Sequence, residues 1–249
     1  MTEAGVTVSV VSHGHASLVS ALFIDLASIP LIHEVVLTIN TPDKSVEIPE
    51  AVAGRVNIIT NDVPRGFGAN HNTAFARCRT KYFCVLNPDI RMKIDPFPAL
   101  IEGLNGAQLA APLILNPFGA IEDSARRFPT PWRMLRRILG IDNGAYPLGD
   151  NVHKIDPDWV GGMFMLFNAE TYRALGGFDE RFFMYLEDVD ICARIRRGGG
   201  RIALCTDVAA IHDARRASRR NARHSYWHLK SLLSFFRLHW GHLPRRIYR

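Results

Sequence analysis

Apolar residues in the first half of the chain fall in short runs separated by amphipathic stretches. Residues 6–11 (VTVSVV) are a β-branched run of the kind buried inside a sheet. Residues 17–27 then bring apolar positions round at helical spacing. Residues 34–39, 56–60 and 82–86 are further strand-like runs, and 68–77 reads as helix. Strands alternating with helices predict an α/β fold on a mostly parallel central sheet. The second half differs. Residues 116–158 are rich in Pro, Gly and Arg, with helical spacing only at 132–139, and are expected to form a mobile cover. A strand at 162–167 and a helix at 169–175, stopped by Gly176 and Gly177, follow. A helix at 186–196 then ends at 198–200, before short strands at 201–205 and 208–211. Beyond these, Leu229, Leu232, Leu233, Phe236 and Trp240 recur with helical spacing. The pattern predicts one domain over residues 1–212 and an amphipathic helical tail over 213–249.

Ligands of such sheets gather in the loops beyond the carboxyl ends of the strands. Residues 12–15, 40–43 and 87–89 all occupy loops of that kind.

Charge sharpens the picture of the tail. The net charge is +6, but ten of the 30 Lys and Arg residues follow Asp213 and no acid does. The other 20 face all 24 acids, a balance of −4, so the basic character belongs to the tail. An anionic partner is expected there, either phospholipid or nucleic acid. The spacing of the aromatics along a helix, unlike a stacking surface on strands, favours a membrane surface over RNA. Residues 132–139 are a second, smaller contact of the same character. Cys78, Cys84, Cys192 and Cys205 have no metal-like spacing, and Cys84 and Cys205 read as reduced, packed thiols. The start lacks a signal-peptide pattern and Asp25 interrupts its longest apolar stretch, so a cytoplasmic protein, peripheral on the inner face of a membrane, is expected.

Four constellations carry candidate chemistry. Asn87-Pro88-Asp89 follows a buried strand, where a carboxylate would enter the ligand crevice; the same triplet is ordinary turn chemistry. Glu187-Asp188-Val189-Asp190 opens a helix, where acids are favoured by the free N–H groups in any case. Glu187 and Asp188 are adjacent and cannot share a helix face, which leaves Asp188 free to point elsewhere. His212 ends a strand, a position as often structural as ligating. Arg65-Gly66-Phe67-Gly68-Ala69-Asn70-His71-Asn72 opens a helix, and its glycines permit close backbone approach to a ligand. It is neither a dinucleotide fingerprint nor a P-loop.

Together, and in this order, these segments resemble bacterial family 2 glycosyltransferases of the rhamnosyltransferase type. The resemblance runs through Val8-Ser9-Val10-Val11-Ser12-His13, Gly66-Phe67-Gly68 with Asn72, Leu86-Asn87-Pro88-Asp89 and Ser124-Ala125-Arg126-Arg127-Phe128-Pro129. It closes with Gly176-Gly177-Phe178-Asp179-Glu180, Phe183-Met184-Tyr185-Leu186-Glu187-Asp188-Val189-Asp190 and His212. It implies an inverting enzyme of GT-A fold, with a nucleotide-sugar half over 1–115 and an acceptor half over 116–212. It implies a divalent metal, Mg2+ or Mn2+, on Asp89 with His212 as second ligand, and Asp188 as general base with Glu187 in reserve. Ser12, His13 and Asn40 would hold the nucleotide, Asn72 would support that pocket, and Gly66 and Asn87 would line the donor side. Trp159 and Gly162 would shape the sugar and acceptor side. Two departures stand out. Asn87 replaces the first of two aspartates usual in the metal motif, which shifts weight onto His212, and Asn40-Thr41-Pro42-Asp43 replaces an acidic loop. The implied donor is dTDP-rhamnose, with UDP-hexose or UDP-galactofuranose as alternatives, and the implied acceptor is a lipid-linked or growing surface glycan. The alternative from another class is a non-catalytic RNA-binding protein with an arginine-rich tail.

Overall fold

The computed structural model describes residues 3–42, 45–122, 124–141, 144–146, 154–213 and 222–243. Its elements in chain order are β1 (Glu3–His13), α1 (Ala16–Ala27), β2 (Ile32–Thr41), α2 (Glu50–Ala53), β3 (Val56–Thr60), α3 (Phe67–Phe75) and β4 (Thr80–Leu86). Then come β5 (Ile90–Arg91), α4 (Phe97–Gly103), β6 (Leu109–Leu115), β7 (Ala125–Arg126), α5 (Pro131–Ile138), β8 (Lys154–Ile155) and β9 (Trp159–Val160). The chain continues through β10 (Phe164–Asn168), α6 (Ala169–Ala174), α7 (Glu187–Arg197), β11 (Ile202–His212) and α8 (Ala222–His239).

The main sheet runs β3-β2-β1-β4-β10-β6-β11-β5, with β8 also on β11. Strands β1 to β4 are parallel, as the alternation of strands and helices predicts. β10 is inserted antiparallel between β4 and β6. This reversal brings the start of β10 beside the end of β4, with Phe164 opposite Leu86.

Side chains along the central strands alternate between two cores. Cys84 and Leu86 of β4 and Phe164 and Leu166 of β10 join α1 and α4 on one face. Phe83, Val85, Met165 and Phe167 join α6, α7 and α8 on the other. All four cysteines are buried and unpaired, as the apolar settings of Cys84 and Cys205 suggested.

Two parts of the sheet depart from the sequence reading. The segments at 201–205 and 208–211 are one strand, β11, kinked by a bulge between Cys205 and Ala209. β6 was not anticipated, because Pro112 sits in its middle and proline is rare in central strands. Pro112 pairs with Cys205 at the edge of that bulge, where the ladder is already broken and a missing N–H is tolerated. Residues 116–158 carry β7, α5 and β8. Asp158, buried, fastens this stretch by accepting from Phe128 N (2.9 Å) and Tyr146 Oη (3.1 Å).

Candidate active site

The loop after β4 presents Asp89 beside the last residue of β11. His212 Nε2 lies 3.2 Å from Asp89 Oδ2, and its Nδ1 lies 2.6 Å from Glu122 Oε2. The Asp89 carbonyl accepts from Asp213 N (2.9 Å), which zips the two segments together. Arg91 braces the same turn from below by a two-pronged bond to Asp25 of α1 (2.7 and 2.8 Å). Burial alone would lower the His212 pKa, but the hydrogen bonds to Asp89 and Glu122 raise it to about 9. Asp89 Oδ1 is buried without a hydrogen-bond partner. An uncompensated buried carboxylate oxygen is costly, and a cation would compensate it. Among the described residues no cluster of three or more His, Cys, Asp or Glu side chains forms a complete metal cage. Asp89 and His212 instead suit a cation whose remaining positions are filled by phosphate and water. Glu122 on Nδ1 is the kind of carboxylate that orients a ligating histidine.

Asp188 reaches the same end of the sheet by a different route. Tyr185 and Leu186 both take left-handed backbone conformations, with φ of 72° and 64°. Such geometry costs about 1–3 kcal/mol per residue outside glycine, and it turns the chain sharply into α7. α8 holds this turn: Ser231 Oγ donates to Met184 O (2.8 Å), and Tyr185 Oη lies 2.8 Å from His224 Nδ1. Asp188 Oδ2 then accepts from Gly162 N (3.0 Å) and its Oδ1 from Val189 N (2.8 Å). Gly162 precedes β10, and the next residue, Met163, accepts from Asn87 N (2.9 Å). Asp188, Gly162, Met163, Asn87 and Asp89 thus form a short continuous path along one edge. The half-buried Asp188 carboxyl is pushed above the ordinary range by burial, which outweighs its backbone donors. A raised carboxyl pKa brings an acid–base group closer to neutral working conditions.

Glu187, the reserve base, is placed differently from Asp188. It is 6% exposed and its Oε2 has no hydrogen-bond partner. Burial, then the adjacent Asp188, pushes its carboxyl well above the usual range, favouring the neutral acid. Burial of this carboxyl leaves it less open to an incoming hydroxyl than the half-buried Asp188.

The residues expected on the nucleotide side share this edge, but several act through the chain itself. Ser12 is buried at the end of β1 and accepts from His15 N (3.2 Å). His13 is exposed, and partial burial followed by His15, Arg223 and His224 lowers its pKa, which marks a basic rim beside β1. Asn40, buried, accepts from Arg65 N (2.8 Å) and donates to Arg65 O (3.0 Å), so it fixes the turn before α3. This bracing is the role the structure gives Asn40. Asn72, expected to support the nucleotide pocket, makes its bonds elsewhere in the chain. It clamps the loop after α6, bonding Phe178 N and O (2.9 Å each) and Tyr172 Oη (2.8 Å). At Gly66 the close approach is to the protein's own backbone: a Cβ there would lie 2.7 Å from Phe183 O. Trp159 is half-buried, its Nε1 donating to Arg127 O (3.0 Å). The Asp43 end of the 40–43 loop lies outside the described residues.

Residues 17–157 match the family model described as glycosyl transferase family 2. The chain is 30% identical over 244 residues to rhamnosyltransferase WbbL of Escherichia coli (strain K12), covering 92% of both chains. The protein belongs to glycosyl transferase family 2. This glycosyltransferase is also 27% identical over 172 residues to an N-acetylglucosaminyl-diphospho-decaprenol L-rhamnosyltransferase of Mycobacterium tuberculosis, spanning 61% of this chain and 53% of that one. Its fold superposes on GalNAc-T7, solved with UDP, GalNAc and Mn2+, with a TM-score of 0.69 at 15% identity, covering 94% of this chain and 48% of the other. The α/β fold expected from the strand–helix alternation is therefore the GT-A fold. Membership of a transferase family also removes the RNA-binding alternative as the chain's principal role.

Three contributors to this glycosyltransferase's site were missed in the sequence. Glu122 sits in the irregular stretch after β6, with nothing around it to signal a partner. The left-handed pair at Tyr185 and Leu186 has no glycine to announce it. The buried His239, whose Nε2 lies 2.8 Å from Asp190 Oδ1 in α7, is 49 residues away in the chain.

Proposed function

We propose that this enzyme transfers L-rhamnose from dTDP-rhamnose, with inversion, to a lipid-linked or growing surface glycan. The observation that supports the mechanism is the shared edge: Asp188, in the first turn of α7, is linked through Gly162, Met163 and Asn87 to the loop that carries Asp89, and Asp89 meets His212 at the end of β11. The acceptor hydroxyl attacks the anomeric carbon, the bond from that carbon to the diphosphate breaks, and the hydroxyl proton passes to Asp188. General-base help of this kind contributes ~10²–10⁴-fold. With one base and no second nucleophile, the configuration inverts.

Asp89 and His212 would hold a divalent cation, Mg2+ or Mn2+, with His212 binding through Nε2 after its proton has left and Glu122 keeping the Nδ1–H. Bound there, the cation would neutralise charge gathering on the departing diphosphate. The names of the Escherichia coli and Mycobacterium tuberculosis relatives support rhamnose, and the second supports a lipid diphosphate acceptor. Mn2+ in the GalNAc-T7 complex supports the metal.

The test is transfer and donor hydrolysis across dTDP-rhamnose, UDP-hexoses and UDP-galactofuranose, with and without Mg2+ or Mn2+. Wild type should prefer dTDP-rhamnose. Asp188→Asn should keep donor binding and lose at least ~10²-fold in kcat, and Asp89→Ala should lose metal dependence together with turnover. Preference for a UDP-sugar would replace the donor, and full activity in Asp188→Asn would remove the proposed base.

A further inference from the structure

α8 has two faces. Ser231, Phe235 and His239 are buried against the domain, fixed by the bonds to Met184 and Asp190. The expected apolar stripe divides between them: Leu232 and Phe236 pack on the core, whereas Leu229, Leu233 and Trp240 are 56%, 63% and 67% exposed. Tyr226, Leu233 and Trp240 recur every seventh residue, so they form one line along the helix, with Leu229 beside it. Arg223, Lys230 and Arg237 recur at the same interval and make a parallel cationic line. An 18-residue helix is about 27 Å long. No described helix is long and apolar enough to cross a membrane.

α5 repeats the design on a smaller scale. It buries none of its residues, exposes Trp132, Leu135 and Ile138, and carries Arg133, Arg136 and Arg137 with no acid. Burial, then the Arg137 cation of α5, lowers the pKa of His228 in α8.

We infer that α8 and α5 together form a docking surface for an anionic lipid bilayer, lying in its plane with leucine, isoleucine and tryptophan side chains among the acyl chains and the cations at the headgroups. Charge complementarity selects this occupant. No acid follows Asp213 and none lies in α5, so every fixed charge that these two helices carry is positive. A second copy would oppose two like-charged faces. A nucleic acid would match the cations but leave the exposed leucines in water, whereas an interfacial helix uses both lines. Because α8 also grips the turn leading to Asp188, docking would bring the reactive edge to the bilayer surface, where a lipid-carried hydroxyl is presented.

The test is co-sedimentation of the full chain with vesicles of phosphatidylcholine alone or mixed with phosphatidylglycerol, without any sugar donor. Its failure is thereby distinguishable from failure of the transfer reading. Wild type should bind the mixed vesicles at least about tenfold better than the neutral ones and lose much of that binding at high salt. The double variant Leu229→Glu with Leu233→Glu should bind at least about tenfold more weakly at unchanged melting temperature, since both side chains are largely exposed. Lys230→Glu with Arg237→Glu should weaken only the anionic-lipid component. The inference is overturned if wild type ignores the mixed vesicles or if the leucine variant binds them as well as wild type. It is also overturned if that variant instead dissolves a dimer or leaves tight single-stranded RNA binding intact while no vesicle binding is seen.

Discussion

Gly66 is where the start of α3 touches the segment that leads to Asp188, and replacing it by alanine tests whether that contact sets the catalytic geometry. Its backbone is ordinary, with φ of −64° and ψ of 160°, so alanine introduces no conformational strain of its own. The obstacle is space. The new methyl would lie 2.7 Å from Phe183 O, 3.0 Å from its Cα and 3.2 Å from its carbonyl carbon. These are backbone atoms, unable to rotate away, so α3 and the segment at Phe183 must separate. That separation would stretch the bond from Phe67 N to Phe183 O, now 2.9 Å. Overpacking costs about 1–3 kcal/mol and a hydrogen bond about 0.5–1.5 kcal/mol, so a loss of about 2–4 kcal/mol is expected. For a chain of 249 residues this lowers the melting temperature by roughly 5–15 °C. Phe183 lies five residues before Asp188, and a displacement passed along that turn should lower kcat by ~10–10²-fold. Gly54→Ala is the control: nothing lies within 4 Å of its would-be Cβ, and its φ is −66°. It should be neutral or stabilise by about 0.4–1 kcal/mol. Thermal unfolding by circular dichroism and steady-state transfer rates, run on both variants, provide the readout. If Gly66→Ala behaves like Gly54→Ala in both, the contact does not govern the site.

Glu122→Gln should raise the Mn2+ or Mg2+ concentration for half-maximal transfer by roughly 10–100-fold, because His212 loses its charged orienting partner. It should also bring the His212 pKa down from about 9, measurable by NMR in metal-free protein; an unmoved titration would refute the orienting role. The raised carboxyl of Glu187 binds its proton more tightly folded than unfolded, so its contribution is complete below the unfolded carboxylate pKa, near ~4.3, and is lost as pH rises through the folded value. Melting temperatures measured across that interval should fall with rising pH in wild type and fall less in Glu187→Gln; parallel profiles would show that Glu187 does not titrate there.

The strand–helix alternation of the first half was legible because each strand there is a local β-branched run and each helix a local periodicity. Asp89 and Asp188 could be placed at element ends for the same reason. Neighbouring residues fix where a strand stops and which acids open a helix. Glycines at 66 and 68 were visible as sites of close approach, but what approaches them was not. The partners are Phe183 and Phe178, more than 100 residues away, and only the folded chain brings them near.

Tertiary structure decided the rest. β6 hid behind Pro112, whose missing N–H is tolerated only because a bulge in β11 lies opposite. Asn40 was expected to hold the nucleotide and Asn72 to support its pocket; the sequence could not show that they bond backbone groups on distant loops, since an amide's partners are chosen by whatever packs against it. Glu187 and Asp188 are neighbours with one sequence context, yet one is buried and the other meets the Gly162 N–H. The order of residues by itself determined the alternation of elements, the basic tail and the acids at element ends. Only folding settled which of those acids is accessible and which histidine meets which carboxylate, because accessibility and pairing arise from contacts between residues far apart in the chain.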